Sequence, residues 1–163
     1  MSKHDCAHEG EAAGLAGKAL SAALLEADTR VSAADERLTG PRRRVLELLL
    51  GAGAPVKAYD LIAAYGEGGA KPPTVYRALE FLERMGFAHR LESLNAYVAC
   101  RRAGEVHAAA FLICECCGAT AEIEPEVSAG VEAAAEAHGY ALRGLTLEAR
   151  GLCGACRPAG GAG

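Results

Sequence analysis

Four of the seven cysteines in this 163-residue chain stand in two C-x-x-C pairs. These are Cys114-Glu115-Cys116-Cys117 and Cys153-Gly154-Ala155-Cys156, with 35 residues between them. Four thiolates at ~2.3 Å complete a tetrahedral shell around one zinc ion and leave no position open, so such a site is structural rather than catalytic. Gly118 frees the turn after the first pair, and the intervening residues read as strand, helix, strand. Zinc would therefore tie the two ends of a folded unit. The same spacing also suits a disulfide or a redox dithiol. A redox C-x-x-C usually opens a helix in a βαβ unit, and neither pair here does so.

His89, Cys100, His107 and Glu122 remain after the four knuckle cysteines are spent. Two nitrogens, one thiolate and one carboxylate make an acceptable four-ligand zinc shell. The soft thiolate disfavours manganese and magnesium and favours zinc over ferrous iron, although affinity alone does not fix the metal. Read singly, His89 could be an interfacial core histidine and Glu122 a solvated strand residue. If the four do act together, their ligands come from both halves of the chain, and filling the site would lock the halves' orientation. Cys116 is either a bystander or a competitor of Cys117. His4, Cys6 and His8 offer a weak zinc site in what reads as a disordered tail.

These residues must be positioned by helices and short strands. The chain is long enough for one ordinary domain or two small ones, and a metal supporting the weaker core fits the cysteine placement. Seven cysteines without an N-terminal apolar segment point to a reducing cytosol, hence a soluble cytoplasmic protein without membrane association. The net charge of −4 hides an asymmetry. Residues 1–36 carry three basic and seven acidic groups, residues 37–98 nine and six, and residues 99–163 five and eight. A basic middle between acidic ends is a local footprint for nucleic acid. No Ser/His/Asp set, paired-carboxylate site or phosphate-cradling glycine loop is visible, which argues against an enzyme.

The middle segment reads as helices over 15–36, Pro41–Leu50 (N-capped by Thr39) and Lys57–Tyr65, then a fourth opened by Pro72-Pro73-Thr74 and closed by Met85-Gly86. That is the outline of a helix-turn-helix. In the fourth helix Val75, Ala78, Leu79, Phe81, Leu82 and Met85 fall on one side and Tyr76, Arg77, Glu80, Glu83 and Arg84 on the other. Arg77 lies in the first turn, where a recognition helix meets base edges and an arginine forks onto guanine. Tyr76 can press on a thymine methyl or reach a phosphate, while Arg42, Arg43, Arg44 and Lys57 suit phosphates. Phe87–Glu92 and Ala96–Cys100 alternate like two strands of a wing. A two-residue turn at Leu94-Asn95 would set His89 directly opposite Cys100, and a one-residue change of turn length would make the pair diagonal, still within reach of a shared ion. Strands over 109–114 and 120–123, a helix over 125–138 and a strand over 140–150 complete a small second lobe.

Together these segments resemble the ferric uptake regulator family, specifically its zinc-responsive repressor branch. The resemblance runs from about Leu38 to Cys156. Its motifs are Leu38-Thr39-Gly40-Pro41-Arg42-Arg43, Lys71-Pro72-Pro73-Thr74-Val75-Tyr76-Arg77-Ala78-Leu79, Glu92-Ser93-Leu94-Asn95-Ala96-Tyr97-Val98, Phe111-Leu112-Ile113-Cys114 and Gly151-Leu152-Cys153-Gly154-Ala155-Cys156. It implies an α+β fold: a tail (1–14), a winged helix-turn-helix DNA-binding domain (15–100), a hinge (101–108), a dimerisation domain (109–157) and a second tail (158–163). It implies structural zinc on Cys114, Cys117, Cys153 and Cys156, and regulatory zinc on His89, Cys100, His107 and Glu122. Tyr59 and Arg77 match DNA-contacting positions, within a T-V-Y-R segment that includes Thr74 and Tyr76. The implied function is a zinc-sensing repressor whose zinc-loaded homodimer binds an AT-rich inverted repeat in double-stranded DNA and represses zinc-uptake genes. An iron- or manganese-responsive regulator is the alternative within the family. Iron and peroxide sensors of the family carry several close histidines before the first knuckle, and here 106–110 has His107 alone. Residues 142–146 lack the histidine of a third metal site.

Overall fold

A computed structural model describes residues 14–66, 69–100, 108–123, 128–142 and 144–158. The chain divides into two compact units, one within Glu11–Glu105 and one within Val106–Gly163. The expected tails and hinge lie almost wholly outside the described residues, as do His4, Cys6, His8 and His107. No helix among the described residues is long and apolar enough to cross a membrane.

The first unit contains α1 (Gly17–Ala33), α2 (Gly40–Ala52), α3 (Ala58–Ala63), α4 (Pro72–Arg84), β1 (Ala88–Leu91) and β2 (Ala96–Ala99). Each helix gives one stripe to a shared core: Leu24, Ala27 and Val31 from α1, Val45, Leu46 and Leu49 from α2, Ala58 and Leu61 from α3, and Val75, Ala78, Leu79, Phe81 and Leu82 from α4. Leu82 has no solvent exposure. Leu82→Ala should therefore cost about 2–5 kcal/mol through lost burial and the cavity left behind, read as a lowered urea midpoint of this unit's unfolding.

Backbone chemistry sets the helix ends. The expected helix over 15–36 stops sooner because Asp35 adopts a left-handed conformation (φ 56°). The Glu36 N–H then reaches back to the Val31 carbonyl and the Asp35 N–H to that of Ser32, a Schellman closure made with aspartate. Helix α4 closes the same way at Gly86 (φ 72°), with Phe87 N–H donating to the Leu82 carbonyl. Thr39 occupies the N-cap of α2 as expected, but its side chain makes no capping bond. Helix α3 is shorter than its sequence pattern. The Arg44 guanidinium takes up the Tyr65 and Ala64 carbonyls (3.1 and 3.4 Å) and so caps that turn from α2.

The wing differs from expectation in register. Its turn spans residues 92–95 rather than two residues, so His89 pairs with Val98 and Leu91 with Ala96. Asn95 is left-handed (φ 48°), as asparagine tolerates, and its N–H donates to the Glu92 carbonyl, adding a tight turn before the left-handed residue. The shift is by two positions in pairing sum, so every side chain keeps its face. Cys100 becomes a diagonal rather than a direct neighbour of His89. Val56 exchanges two 2.8 Å hydrogen bonds with Tyr97, which pins the wing to the segment before α3.

The second unit contains β3 (Ala108–Cys114), β4 (Thr120–Ile123), α5 (Ser128–Ala137) and β5 (Leu145–Gly151). The sheet order is β4-β3-β5, with β4 antiparallel and β5 parallel to β3. The expected start of α5 at Pro125 lies outside the described residues. Strand β5 begins at Leu145 rather than Tyr140, because Tyr140 is used to close α5. Its N–H donates to the Ala135 carbonyl across Gly139 (φ 77°).

Candidate metal centres and nucleic-acid interface

Parallel pairing of β3 with β5 brings the two knuckles together. The register sets Cys114, the last residue of β3, beside Gly151, the last of β5. Each strand then runs into its own turn at the same end of the sheet. The Glu115 N–H donates to the Gly151 carbonyl at 2.8 Å, and Gly118 (φ 74°) turns the first knuckle back so that its N–H meets the Cys114 carbonyl. The second knuckle is closed by the N–H groups of Cys156 and Arg157 on the Cys153 carbonyl.

The four sulfurs of Cys114, Cys117, Cys153 and Cys156 all lie within 4.8 Å of one another. Cys117 Sγ and Cys153 Sγ are 3.9 Å apart, close to the ~3.8 Å edge of a tetrahedron with ~2.3 Å zinc–sulfur bonds and far beyond the ~2.05 Å of a disulfide. None of the described cysteines is in a disulfide. Backbone N–H groups of Cys117 and then Cys153 hold the Cys114 thiol well below the usual thiol range, at about 6, and the Cys153 N–H lies 3.3 Å from its Sγ. A thiolate already stabilised by amide dipoles is the protonation state zinc requires. The donor set, spacing and charge thus fit a closed zinc site, and Cys116, exposed in the same turn, is not among the clustered sulfurs.

In the first unit, a His89 ring nitrogen and Cys100 Sγ lie within 4.8 Å of each other. His89 is half-buried and Cys100 buried. The Cys100 N–H donates to the Phe87 carbonyl (2.9 Å), which extends the wing pairing by one step and fixes where its side chain points. Nitrogen and thiolate at this separation can share one ion. Glu122, on β4, belongs to the other unit.

The DNA-reading candidates divide by charge pairing. Arg42 has several internal partners. Its guanidinium stacks 3.5 Å over the Phe81 ring, donates to the Arg37 carbonyl and sits 3.6 Å from Glu36. Arg84 meets Glu36 at 2.8 Å and the same ring at 5.3 Å. Their charges, led by the Arg84 hydrogen bond, hold the Glu36 carboxyl below its ordinary range. This clamp ties the end of α1 and the start of α2 to α4. Arg44 is held by Glu47 at 2.8 Å and by the α3 carbonyls. In contrast, Arg43, Lys57 and Arg77 are exposed and make no ion pair among the described residues. Tyr59 is 76% exposed and Tyr76 47%, while Thr74 is half-buried and its N–H turns back onto the Lys71 carbonyl.

Two residues on this surface escaped the sequence reading as contacts. Lys71, at the N-cap of α4, is exposed and unpaired among the described residues. Its signal was its place just before Pro72, at the mouth of the reading helix. Glu80 is the other, exposed one turn beyond Tyr76.

A model of the ferric uptake regulator family matches residues 33–150. The zinc uptake regulation proteins of Escherichia coli (strain K12) and Shigella flexneri are each 42% identical over 140 residues, covering 82% of this chain and 80% of theirs. Among solved structures, a zinc uptake regulator complexed with zinc and DNA is similar with a TM-score of 0.77 and 40% identity, over 86% of this chain and 96% of that one. Holo XcZur is similar with a TM-score of 0.74 and 43% identity, over 83% and 96%. With a winged helix-turn-helix ahead of a four-sulfur unit and a family match across most of its length, this chain belongs to the ferric uptake regulator family.

Proposed function

We propose that this chain is a zinc-sensing transcriptional repressor, cytoplasmic and without catalytic activity, that binds operator DNA as a zinc-loaded homodimer and represses zinc-uptake genes. The observation that carries the reading is its 40% identity, over nearly the full length of that chain, to a zinc uptake regulator solved with zinc and DNA. Zinc bound by Cys114, Cys117, Cys153 and Cys156 supplies a crosslink between the two strand ends. A second zinc is sensed by His89, Cys100, His107 and Glu122. The close approach of His89 and Cys100 supports the first two, and the sequence resemblance supports the others.

Arg77 reads guanine from the second turn of α4, with Thr74 and Tyr76 beside it. Tyr59, Arg43 and Lys57 meet the backbone, and Lys71 joins them. Arg44, whose Nε, Nη1 and Nη2 are all engaged, braces the reading unit, and Arg42 keeps Nε and Nη2 donors for a phosphate beyond the Nη1 bond to the Arg37 carbonyl. Leu112, Ile123, Leu142 and Leu152 are exposed on the second unit and offer apolar surface for a second copy to cover.

Arg77→Ala should lower operator affinity by about tenfold to a hundredfold, because each guanine fork contributes roughly 1–3 kcal/mol of discrimination. Filter binding on operator and on unrelated DNA checks this, with the loss confined to operator. The reading as a whole is tested by gel shifts on the gene's own upstream region and on zinc-transporter promoters across a buffered zinc series. Retarded complexes should appear only as zinc rises. Complexes that respond to ferrous iron or manganese and ignore zinc would overturn it.

A further inference from the structure

Glu80 occupies the middle of the surface that α4 presents to solvent. Projected at 100° per residue, it falls between Tyr76 and Arg77 and opposite the buried stripe of Val75, Ala78, Leu79 and Leu82. The other charges beyond Arg77 on this helix are drawn aside. Arg84 is held by Glu36, and Glu83 is half-buried. Glu80 is exposed and makes no ion pair among the described residues, not even with Arg77 three positions earlier, where a helix would permit one. Both groups are left facing outward.

A carboxylate in that place is at odds with plain backbone binding. Ionised glutamate only accepts hydrogen bonds, and phosphate oxygens also only accept, so Glu80 repels the backbone that its neighbours attract. The donors it can meet in a major groove are exocyclic amines, and the pairing its geometry favours is with N4 of cytosine. We propose that Glu80 is a specificity-determining residue that accepts the cytosine N4 amine, and penalises every sequence that offers no donor there. This rests on the DNA-binding reading above and deepens it. Three residues of helix advance ~4.5 Å, against ~3.4 Å per base pair, so the cytosine lies within one or two base pairs of the guanine read by Arg77. Repulsion from unmatched sequences lowers affinity for DNA at large and widens the gap between operator and the rest.

The test is selection from a randomised duplex pool by the zinc-loaded full-length protein, run in parallel for the parent, Glu80→Ala, Glu80→Gln and Arg77→Ala. The parent should enrich a cytosine at one position per half-site, adjacent to the guanine whose preference Arg77→Ala erases. Glu80→Ala should lose that cytosine preference by about fivefold to tenfold, the lower end of a good base contact, and bind unrelated DNA more tightly. Glu80→Gln should move the preference toward adenine, since an amide pairs with adenine N6 and N7. Selection of the same bases with the same preference by all three Glu80 forms overturns the proposal while leaving the DNA-binding reading intact. A parent that enriches no sequence at all overturns both.

Discussion

Replacing Cys153 by serine is expected to cost the second unit its zinc and, with it, its fold. Cys153 contributes twice to the cluster: its Sγ lies 3.9 Å from that of Cys117, and its N–H steadies the Cys114 sulfur. The described part of that unit is a three-stranded sheet and one Ala-rich helix, α5, whose residues with described side chains are nearly all solvent-exposed. The buried hydrophobics of its described part are those of β3, chiefly Phe111 and Ile113 with Ala109 and Ala110, too few by themselves to outweigh the ordering of the chain. Structural zinc in small domains supplies about 10–16 kcal/mol of apparent binding free energy near neutral pH, and losing one of four ligands forfeits much of it. The variant should lose the tightly held zinc and the cooperative unfolding transition of this unit, and should no longer run as a dimer. Metal content, calorimetry and sedimentation check this. A folded dimer with full zinc content would show that the cluster is not the unit's staple. Cys116→Ser in the same turn should leave all three properties unchanged, because Cys116 stands outside the cluster.

Cys100→Ser should have the second large effect, and on a different property. Cys100 is buried at the end of the wing, close to His89, and serine fits its space without disturbing the Phe87 hydrogen bond made by its backbone. The variant should keep its dimer and its cysteine-held zinc, yet lose the dependence of operator affinity on added zinc. Couplings of this kind are typically about fivefold to 150-fold, a response expected of the parent and absent from the variant. Linkage also demands the reverse effect: operator DNA should tighten zinc binding in the parent and leave it unchanged in Cys100→Ser. Fluorescence anisotropy at fixed salt, with zinc titrated from a chelator buffer, measures both. An unaltered zinc response in the variant would remove Cys100 from the sensing site.

Much of the fold was legible because periodicity and punctuation agree. Val75, Ala78, Leu79, Phe81 and Leu82 of the α4 stripe are buried as its 3.6-residue period requires, Met85 at the C-cap is half-buried, and Gly53, Gly86 and Gly139 end helices with positive φ. What sequence could not supply was long-range or conformational. Asp35 in a left-handed turn shortens α1, and nothing local distinguishes that aspartate from one in a last helical turn. The wing register depended on whether the turn took two residues or four. The alternation of side chains is blind to that choice, because a shift of two in pairing preserves every face. The cysteine cluster was readable from spacing alone, although the parallel pairing that unites its halves was not. The internal partners of the basic residues were not legible either. Charge composition cannot tell that Arg42 stacks on Phe81 or that Arg44 caps α3, since those partners lie 39 and 20–21 positions away along the chain.

The most direct test strips only the labile metal. Treating the zinc-loaded dimer with a mild chelator should remove the ion bound through His89 and Cys100 while the cysteine-held one stays, as metal analysis can verify. Operator affinity of that half-stripped dimer should fall to the level for unrelated DNA and return on adding zinc. Undiminished operator affinity, with the labile ion shown to be gone, would contradict zinc sensing by this protein.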